Sequence, residues 1–239
     1  MSGTEMAGQM NDRERKLLSR AVTEAPTSPR IVLEVGTWLG GGSTVHLLRA
    51  LERNGEGHLW GIEADPSIYE RMIANLQAAA PEVLHRFTPL FGSSNEVIPG
   101  WLGELGPEAR VDLVFLDGGD NPMEQVEEFR LLDARIPVGG QLLSHDAKLR
   151  KGRWLVPYLS ALDHWDTQLH DVSEEGLFHA RKLRDAPSPE SRRQAEERLR
   201  RLCANPVERL GAFLPPGVKA FLLRLLPRRL VARITQGRS

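Results

Sequence analysis

Short apolar runs alternate along the chain with longer stretches in which apolar residues recur at helical spacing. In one such stretch, Leu47, Leu48 and Leu51 fall on a single helical face. Alternation of strands and helices at this period predicts βαβ units and therefore a parallel sheet in an α/β fold. The predicted strands are 31–36, 58–64, 86–92, 111–119 and 139–147, and the helices between them are 43–55, 67–82, 93–106 and 121–136.

The pattern changes after residue 148. A helix is predicted over 152–165, and it is followed by two strand candidates at 166–172 and 176–183. Because a turn of hairpin length joins these two candidates, the sheet is expected to end in an antiparallel pair.

Three regions are predicted along the chain. Residues 1–25 form an N-terminal tail and helix, 26–185 form the α/β domain, and 186–239 form a helical, basic extension. The extension contains an amphipathic segment at 218–234, which Pro227 interrupts. Three interpretations of this segment stay open: a packed helical extension, an arm for a homodimer or a lid, and a helix that contacts a membrane surface.

The composition is that of an ordinary globular protein. The 239 residues suffice for one α/β domain with an appendage, and 41% of them are hydrophobic. The formal net charge of -1 lacks the basic footprint of nucleic-acid binders, so no nucleic-acid partner is expected. The one cysteine excludes an internal disulfide, and no apolar run approaches the roughly 20 residues that span a bilayer. Together with a polar N-terminus, these features predict a cytoplasmic protein.

Four glycines lie close together after the first predicted strand, at Gly36, Gly40, Gly41 and Gly42. Glycines in this turn allow backbone N–H groups to approach a ligand, which favours a nucleotide-like cofactor. No lysine follows Gly42, which disfavours a phosphate-binding loop, and Trp38 stands where a dinucleotide fingerprint needs its second glycine. Ser43 or Thr44 is the predicted cap of the next helix.

Two acids flank this loop in the predicted fold. Glu63 ends the second strand, where a carboxylate can accept hydrogen bonds from both hydroxyls of a ribose. Glu34 precedes the first glycine and either meets a cationic group or orders the loop. The alternative is a tight turn with two solvated acids.

Four motifs, in this order, resemble those of class I S-adenosylmethionine-dependent methyltransferases. The motifs are E-V-G-T-W-L-G-G-G-S-T, G-I-E-A-D-P, D-L-V-F-L-D-G-G and G-G-Q-L-L-S-H-D-A. Within that superfamily the chain is similar to small-molecule O-methyltransferases of the catechol and macrolide-sugar type. The resemblance covers about residues 30–183. It implies a Rossmann-like, doubly wound, mostly parallel seven-stranded sheet whose last strand is antiparallel, and the C-terminal helical extension follows this sheet.

The resemblance also implies where S-adenosylmethionine binds. Its methionine part would lie against the glycine loop, and Glu63 would hold the ribose. Ser93 and Ser94 stand where the family often has Gly-Asp-Ser, and they are carried over as adenine-side contacts. The full set of expected cofactor contacts is Glu34, Gly36, Thr37, Trp38, Gly40, Gly42, Ser43, Glu63, Ser93, Ser94 and Asp117.

Three polar residues at strand ends carry the expected chemistry. Asp117 ends the fourth strand, and His145 and Asp146 end the fifth, so the three side chains are expected to meet. In a first interpretation Asp117 and Asp146 are ligands of Mg²⁺, which would lower the pKa of a substrate hydroxyl. In a second interpretation His145 is a metal-free general base. In a third, His145 and Asp146 only hydrogen-bond the loop and the cofactor.

The sequence therefore predicts an enzyme that methylates a hydroxyl of a small molecule, such as a sugar or a natural product. One alternative is a non-catalytic cofactor-binding or scaffold protein. The other is a metal-independent methyltransferase acting on nitrogen or a carboxyl group.

Overall fold

The computed structural model describes residues 8–119 and 121–204, and this part of the chain contains one seven-stranded sheet. The strands are β1 Ile31–Val35, β2 His58–Glu63, β3 Phe87–Phe91, β4 Leu113–Leu116, β5 Gln141–Ser144, β6 Trp165–His170 and β7 Leu177–Lys182. The α-helices are α1 Asp12–Thr23, α2 Thr44–Asn54, α3 Pro66–Ala79, α4 Ser94–Leu105, α5 Pro122–Leu132, α6 Gly152–Leu159 and α7 Pro189–Ala204. Short 3₁₀ helices cover Pro81–Arg86 and Asp133–Arg135.

The strand order in the sheet is β3-β2-β1-β4-β5-β7-β6. Neighbouring strands from β3 to β5 are parallel, whereas β7 lies antiparallel between β5 and β6. The hairpin predicted at the end of the sheet is therefore present. Its second strand, β7, lies between β5 and its first strand, β6, which forms the edge of the sheet. The predicted Rossmann-like, mostly parallel sheet with an antiparallel last strand is confirmed.

Both faces of the sheet are covered by helices, which is why the strands are apolar on both sides. Strand β4 shows the division: Val114 and Leu116 join one buried cluster, and Leu113 and Phe115 join the other. The first cluster includes residues of α4 to α7, and the second includes residues of α1 to α3. The sheet thus separates two hydrophobic cores and fixes the relative positions of its strand ends.

Side-chain caps mark where several helices begin. Asp65 accepts hydrogen bonds from the backbone of Ser67 and Ile68 at the start of α3. Asn121 accepts one from Met123 at the start of α5, where Pro122 takes the first helical position. Each cap lies just after a strand, so these residues fix the entry of the chain into the helix beside the cleft.

Helix α7 begins the region that the sequence assigns to a basic extension. Its charged sequence suggests an exposed helix, but Ala195 and Leu199 are buried in the first hydrophobic cluster. The spacing of these two residues places them on one face, which packs on α6. The amphipathic segment at 218–234 lies outside the described residues, so the homodimer, lid and membrane interpretations stay predictions. In the described part of the chain, every helix is too short or too polar to cross a membrane.

Candidate active site

The candidate site lies where the parallel strands end. The loop after β1 contacts the loop after β4 so closely that a Cβ atom on Gly36 would lie 2.6 Å from the backbone nitrogen of Gly118. Gly36 also has a positive φ of 86°, a conformation that favours glycine. The glycine expected to make room for a ligand therefore also makes room for the neighbouring loop. As a result, the glycine loop and Asp117 lie side by side at the ends of β1 and β4.

The glycine loop is anchored from beneath by Glu34. This carboxyl group is fully buried and accepts a short hydrogen bond from the Ser43 hydroxyl. Ser43 is the residue before α2, but its side chain makes no capping hydrogen bond and serves Glu34 instead. Burial raises the pKa of Glu34 to about 8, although the hydrogen bond from Ser43 opposes this shift. Glu34 is therefore mostly protonated at neutral pH and orders the loop as a neutral group.

Three buried polar atoms around the loop lack a hydrogen-bond partner among the described residues. They are Oε2 of Glu34 and the hydroxyl oxygens of Thr37 and Thr44. Buried polar atoms in folded proteins are nearly always paired, so such atoms indicate a missing polar ligand. This arrangement fits the polar methionine end of the expected cofactor.

Glu63 lies at the end of β2, facing the glycine loop. One carboxylate oxygen accepts from the backbone N–H of Trp38 at 2.9 Å, and the other accepts from Ala64 and Asp65. Trp38 has a φ of 45°, which is unusual for a bulky residue and is held in part by this hydrogen bond. Glu63 thus fixes the loop and remains half-buried, with a carboxylate that can also accept from a ribose.

The two serines after β3 differ in their surroundings. Ser93 is exposed, and its hydroxyl donates to Glu96 at 2.8 Å. The Ser94 hydroxyl donates to the buried carboxyl group of Glu128 on α5, and burial raises the pKa of Glu128 to about 7. The Ser94 hydroxyl is therefore engaged by the protein, and the adenine-side contacts expected of Ser93 and Ser94 stay predictions.

The structure brings Asp117, His145 and Asp146 together. They can offer ligand atoms that all lie within 4.8 Å of one another, and they form the one potential metal-binding group among the described residues. Nδ1 of His145 lies 3.4 Å from Oδ1 of Asp117 and 3.4 Å from Oδ1 of Asp146. Asp146 adopts a φ of 55°, a left-handed conformation that aspartate tolerates better than most residues.

A fourth member of this cluster comes from the first helix. Glu14 is only 1% exposed, and its Oε1 lies 3.3 Å from Nε2 of His145. Although burial alone would lower the pKa of His145, its contacts with Asp117 and Glu14 raise it to about 10. Burial alone would likewise raise the pKa of Glu14, but its interactions with His145 and Ser173 lower it to about 2. Both ring nitrogens of His145 therefore carry protons at neutral pH, which does not suit the expected general base.

A fifth member, Lys151, precedes α6. Its Nζ lies 3.0 Å from Oδ1 of Asp117 and 3.0 Å from Oδ2 of Asp146, and it donates to the Asp117 carbonyl at 2.8 Å. Magnesium prefers oxygen ligands in an octahedral arrangement. The same carboxylates here hold an ammonium group and a protonated imidazole, so the donor set does not fit the expected Mg²⁺.

Sequence reasoning missed Glu14 and Lys151. A signal for Glu14 exists, because it shares one face of α1 with the buried residues Leu18, Ala21 and Val22. An acid on an otherwise apolar stripe needs a buried partner. Lys151 gives no comparable signal, since only the folded loop after β5 turns it towards Asp117 and Asp146.

The chain was compared with families of known proteins. Residues 33–147 match a family model described as a methyltransferase domain. Over these residues, just under half of the chain, the sequence is similar to a methyltransferase domain. The match begins in β1 and ends just after Asp146. It therefore includes the glycine loop, Glu63, Asp117, His145 and Asp146, but neither Glu14 nor Lys151. The matched family is of the kind that the sequence predicts, a methyltransferase.

Solved structures share the fold of the methyltransferase domain. An O-methyltransferase from Bacillus cereus in complex with SAH is 18% identical, with a TM-score of 0.59, and the match covers 74% of this chain and 84% of that one. An SAH-bound methyltransferase from Podospora anserina is 14% identical, with a TM-score of 0.57 and coverages of 74% and 80%. A methyltransferase from Geobacter sulfurreducens is 16% identical, with a TM-score of 0.58 and coverages of 73% and 81%. Comparison with curated proteins found no match.

Proposed function

We propose that the methyltransferase domain transfers the methyl group of S-adenosylmethionine to a hydroxyl of a small molecule, such as a sugar or a natural product. The observation that carries this proposal is the contact between Gly36 and the backbone of Asp117 and Gly118. It joins the expected cofactor loop to the polar cluster in one cleft. A donor held on the loop and an acceptor held at the cluster would then be neighbours, as group transfer requires.

The residues around the loop suit the cofactor. Glu63 would accept from the ribose hydroxyls, and the unpaired polar atoms of Glu34 and Thr37 face the polar end of the ligand in this proposal. The bound cofactor supplies an activated methyl group on a sulfonium. Two SAH-bound structures of the same fold, from Bacillus cereus and Podospora anserina, support this choice.

The protein must also take the proton of the acceptor hydroxyl. His145 is already protonated at both ring nitrogens, so the proton would pass to a carboxylate of the cluster, Asp117 or Asp146. We assign His145 a positioning role in which it holds the two carboxylates from the buried side. The acceptor oxygen, freed of its proton, would then be the nucleophile for the methyl group that the bound cofactor would supply.

Calorimetric titration of SAH into the purified protein tests the cofactor site. The wild type is expected to bind, and Glu63→Ala is expected to weaken binding roughly 10- to 100-fold, because hydrogen bonds to a charged group are lost. Glu70→Ala is the matched control, since Glu70 is an exposed acid on α3, and it should bind as the wild type does. Absence of SAH binding by folded wild-type protein would contradict the proposal and favour the scaffold alternative.

Transfer of labelled methyl to a panel of hydroxylated small molecules tests the chemistry. Asp146→Asn is expected to lower the transfer rate by 10²-fold or more, the usual scale for a proton-transfer group. Asp185→Asn is the control. It changes an exposed acid that is distant in sequence from Asp146, and it should leave the transfer rate unchanged. Transfer to amines or carboxylates alone would instead support the nitrogen or carboxyl alternative.

A further inference from the structure

Lys151 occupies an enclosed position between two strand ends. Its side chain is 18% exposed, and those of Asp117 and Asp146 are 15% and 17% exposed. The ammonium meets oxygens that arrive from two strand ends, two from Asp117 and one from Asp146. All three distances lie between 2.8 and 3.0 Å, which is ideal for charge-assisted hydrogen bonds. The carboxylates of Asp117 and Asp146 therefore both contact a cation that the protein itself supplies, the ammonium group of Lys151.

A divalent metal would compete for the same oxygens. Asp117 and Asp146 offer the carboxylate oxygens with which the cluster would hold a metal, and both also contact Nζ of Lys151. An ion bound there would sit a few ångströms from the ammonium, and like charges at such range in a partly buried site repel strongly. The third donor, His145, has carboxylates near both ring nitrogens: Glu14 lies 3.3 Å from Nε2, and Asp117 and Asp146 each lie 3.4 Å from Nδ1.

We propose that Lys151 is a built-in replacement for a divalent metal. Its ammonium neutralises Asp117 and Asp146 and fixes their orientation, so the cluster keeps its shape without an ion. The role of Lys151 in catalysis rests on the proposed function. Because no metal chelates the acceptor, a single hydroxyl suffices, and neighbouring hydroxyl pairs gain no advantage.

The left-handed backbone of Asp146 is part of the same arrangement. Lys151 lies five positions after Asp146, and the backbone N–H groups of Leu149 and Gly152 donate to the Asp146 carbonyl. This tight turn brings the lysine back over the aspartate that precedes it. The loop that follows β5 thus supplies the ammonium group of Lys151. Because the same loop holds Asp146, the lysine is a fixed component of the site.

The test measures Mn²⁺ binding to the full-length protein by electron paramagnetic resonance, without acceptor or cofactor. The wild type and Lys151→Arg, which keeps the cation, are expected to bind no Mn²⁺ at the cluster up to millimolar concentration. Lys151→Ala and Lys151→Met free the carboxylates and are expected to bind at least 10-fold more tightly. Adding Asp146→Asn to either neutral variant should abolish the gain, which locates the ion at this cluster.

Sub-millimolar Mn²⁺ binding by the wild type that a folded Asp146→Asn variant lacks would overturn the proposal, even if the Lys151 variants do not fold. Folded neutral variants that gain no Mn²⁺ affinity would also overturn it. The readout does not depend on methyl transfer or on SAH binding. Failure of the proposed function would therefore leave this measurement intact, and failure here would leave SAH binding intact.

Discussion

Glu34 shows how one buried acid can give the protein a pH-dependent stability. Burial raises its pKa to about 8 in the folded protein, against 4.5 for the ordinary group. Between these values the folded state holds a proton that the unfolded state has released. The unfolding free energy must therefore fall as the pH rises from about 4.5 to 8, by about 1 kcal/mol per pH unit.

Glu34→Gln imitates the protonated acid and should remove this slope. We expect the stability of the variant relative to the wild type to rise by about 1 kcal/mol per pH unit between pH 5 and pH 8. Urea denaturation at several pH values measures it. Glu70→Gln, which changes an exposed acid, should keep the wild-type slope, and a slope unchanged in Glu34→Gln would show that the carboxyl group is ionised in the folded protein.

At this scale the sequence predicted which residues flank the loop but not how they are bound. Glu34 and Glu63 both stand at strand ends, which the apolar pattern reveals. That Glu34 is fully buried beneath Ser43, whereas Glu63 is only half-buried, depends on how the loops pack. The hydrogen bonds of Ser43 and Ser94 were not predictable for the same reason, because packing places a buried carboxyl group beside each hydroxyl.

Among the elements, α7 is the helix whose charged sequence conceals its packing. Leu199 is buried in the first hydrophobic cluster although acids and arginines surround it in the sequence. Leu199→Ala is expected to lower the unfolding free energy by about 2–4 kcal/mol, the range for a buried leucine. Leu183→Ala is the control, since Leu183 is exposed and should cost under about 0.5 kcal/mol.

Denaturant unfolding followed by circular dichroism measures both variants. If Leu199→Ala proved as stable as the control, α7 would not be part of the core. The positions of the strands and helices themselves were predictable, because short apolar runs and a helical period of 3.6 residues are local properties of the sequence. The insertion of β7 between β5 and β6 was not, since strand order depends on contacts that the local pattern does not carry.

Across the whole molecule, the first helix is tied to the strand ends that carry the candidate chemistry. Glu14 meets His145 and also accepts a hydrogen bond from Ser173, which follows 159 residues later. The lowered pKa of Glu14 stabilises the fold above about pH 4.5, and this contribution is lost as the pH falls towards 2. The raised pKa of His145 stabilises it below about pH 6.5, and this contribution is lost as the pH rises towards 10.

Glu14→Gln is therefore expected to destabilise the protein most between about pH 4.5 and pH 6.5, by roughly 1–3 kcal/mol. Denaturation as a function of pH measures the effect, which should shrink at pH 3. Glu24→Gln alters an exposed acid of the same region and should cost under about 0.5 kcal/mol throughout. A loss that is equal at pH 3 and pH 6 would mean that the ion pair with His145 contributes little.

The position of β7 has a consequence for synthesis of the protein. Strand β6 leaves the ribosome before β7, yet the strand it pairs with in the sheet is β7. Until Lys182 has emerged, β5 presents an open edge and β6 has no neighbour to join. Unpaired edges invite association with other chains. The nascent protein is thus most prone to aggregate during the interval between translation of β5 and completion of β7, and a chain that stops in the β6–β7 turn would keep that edge exposed.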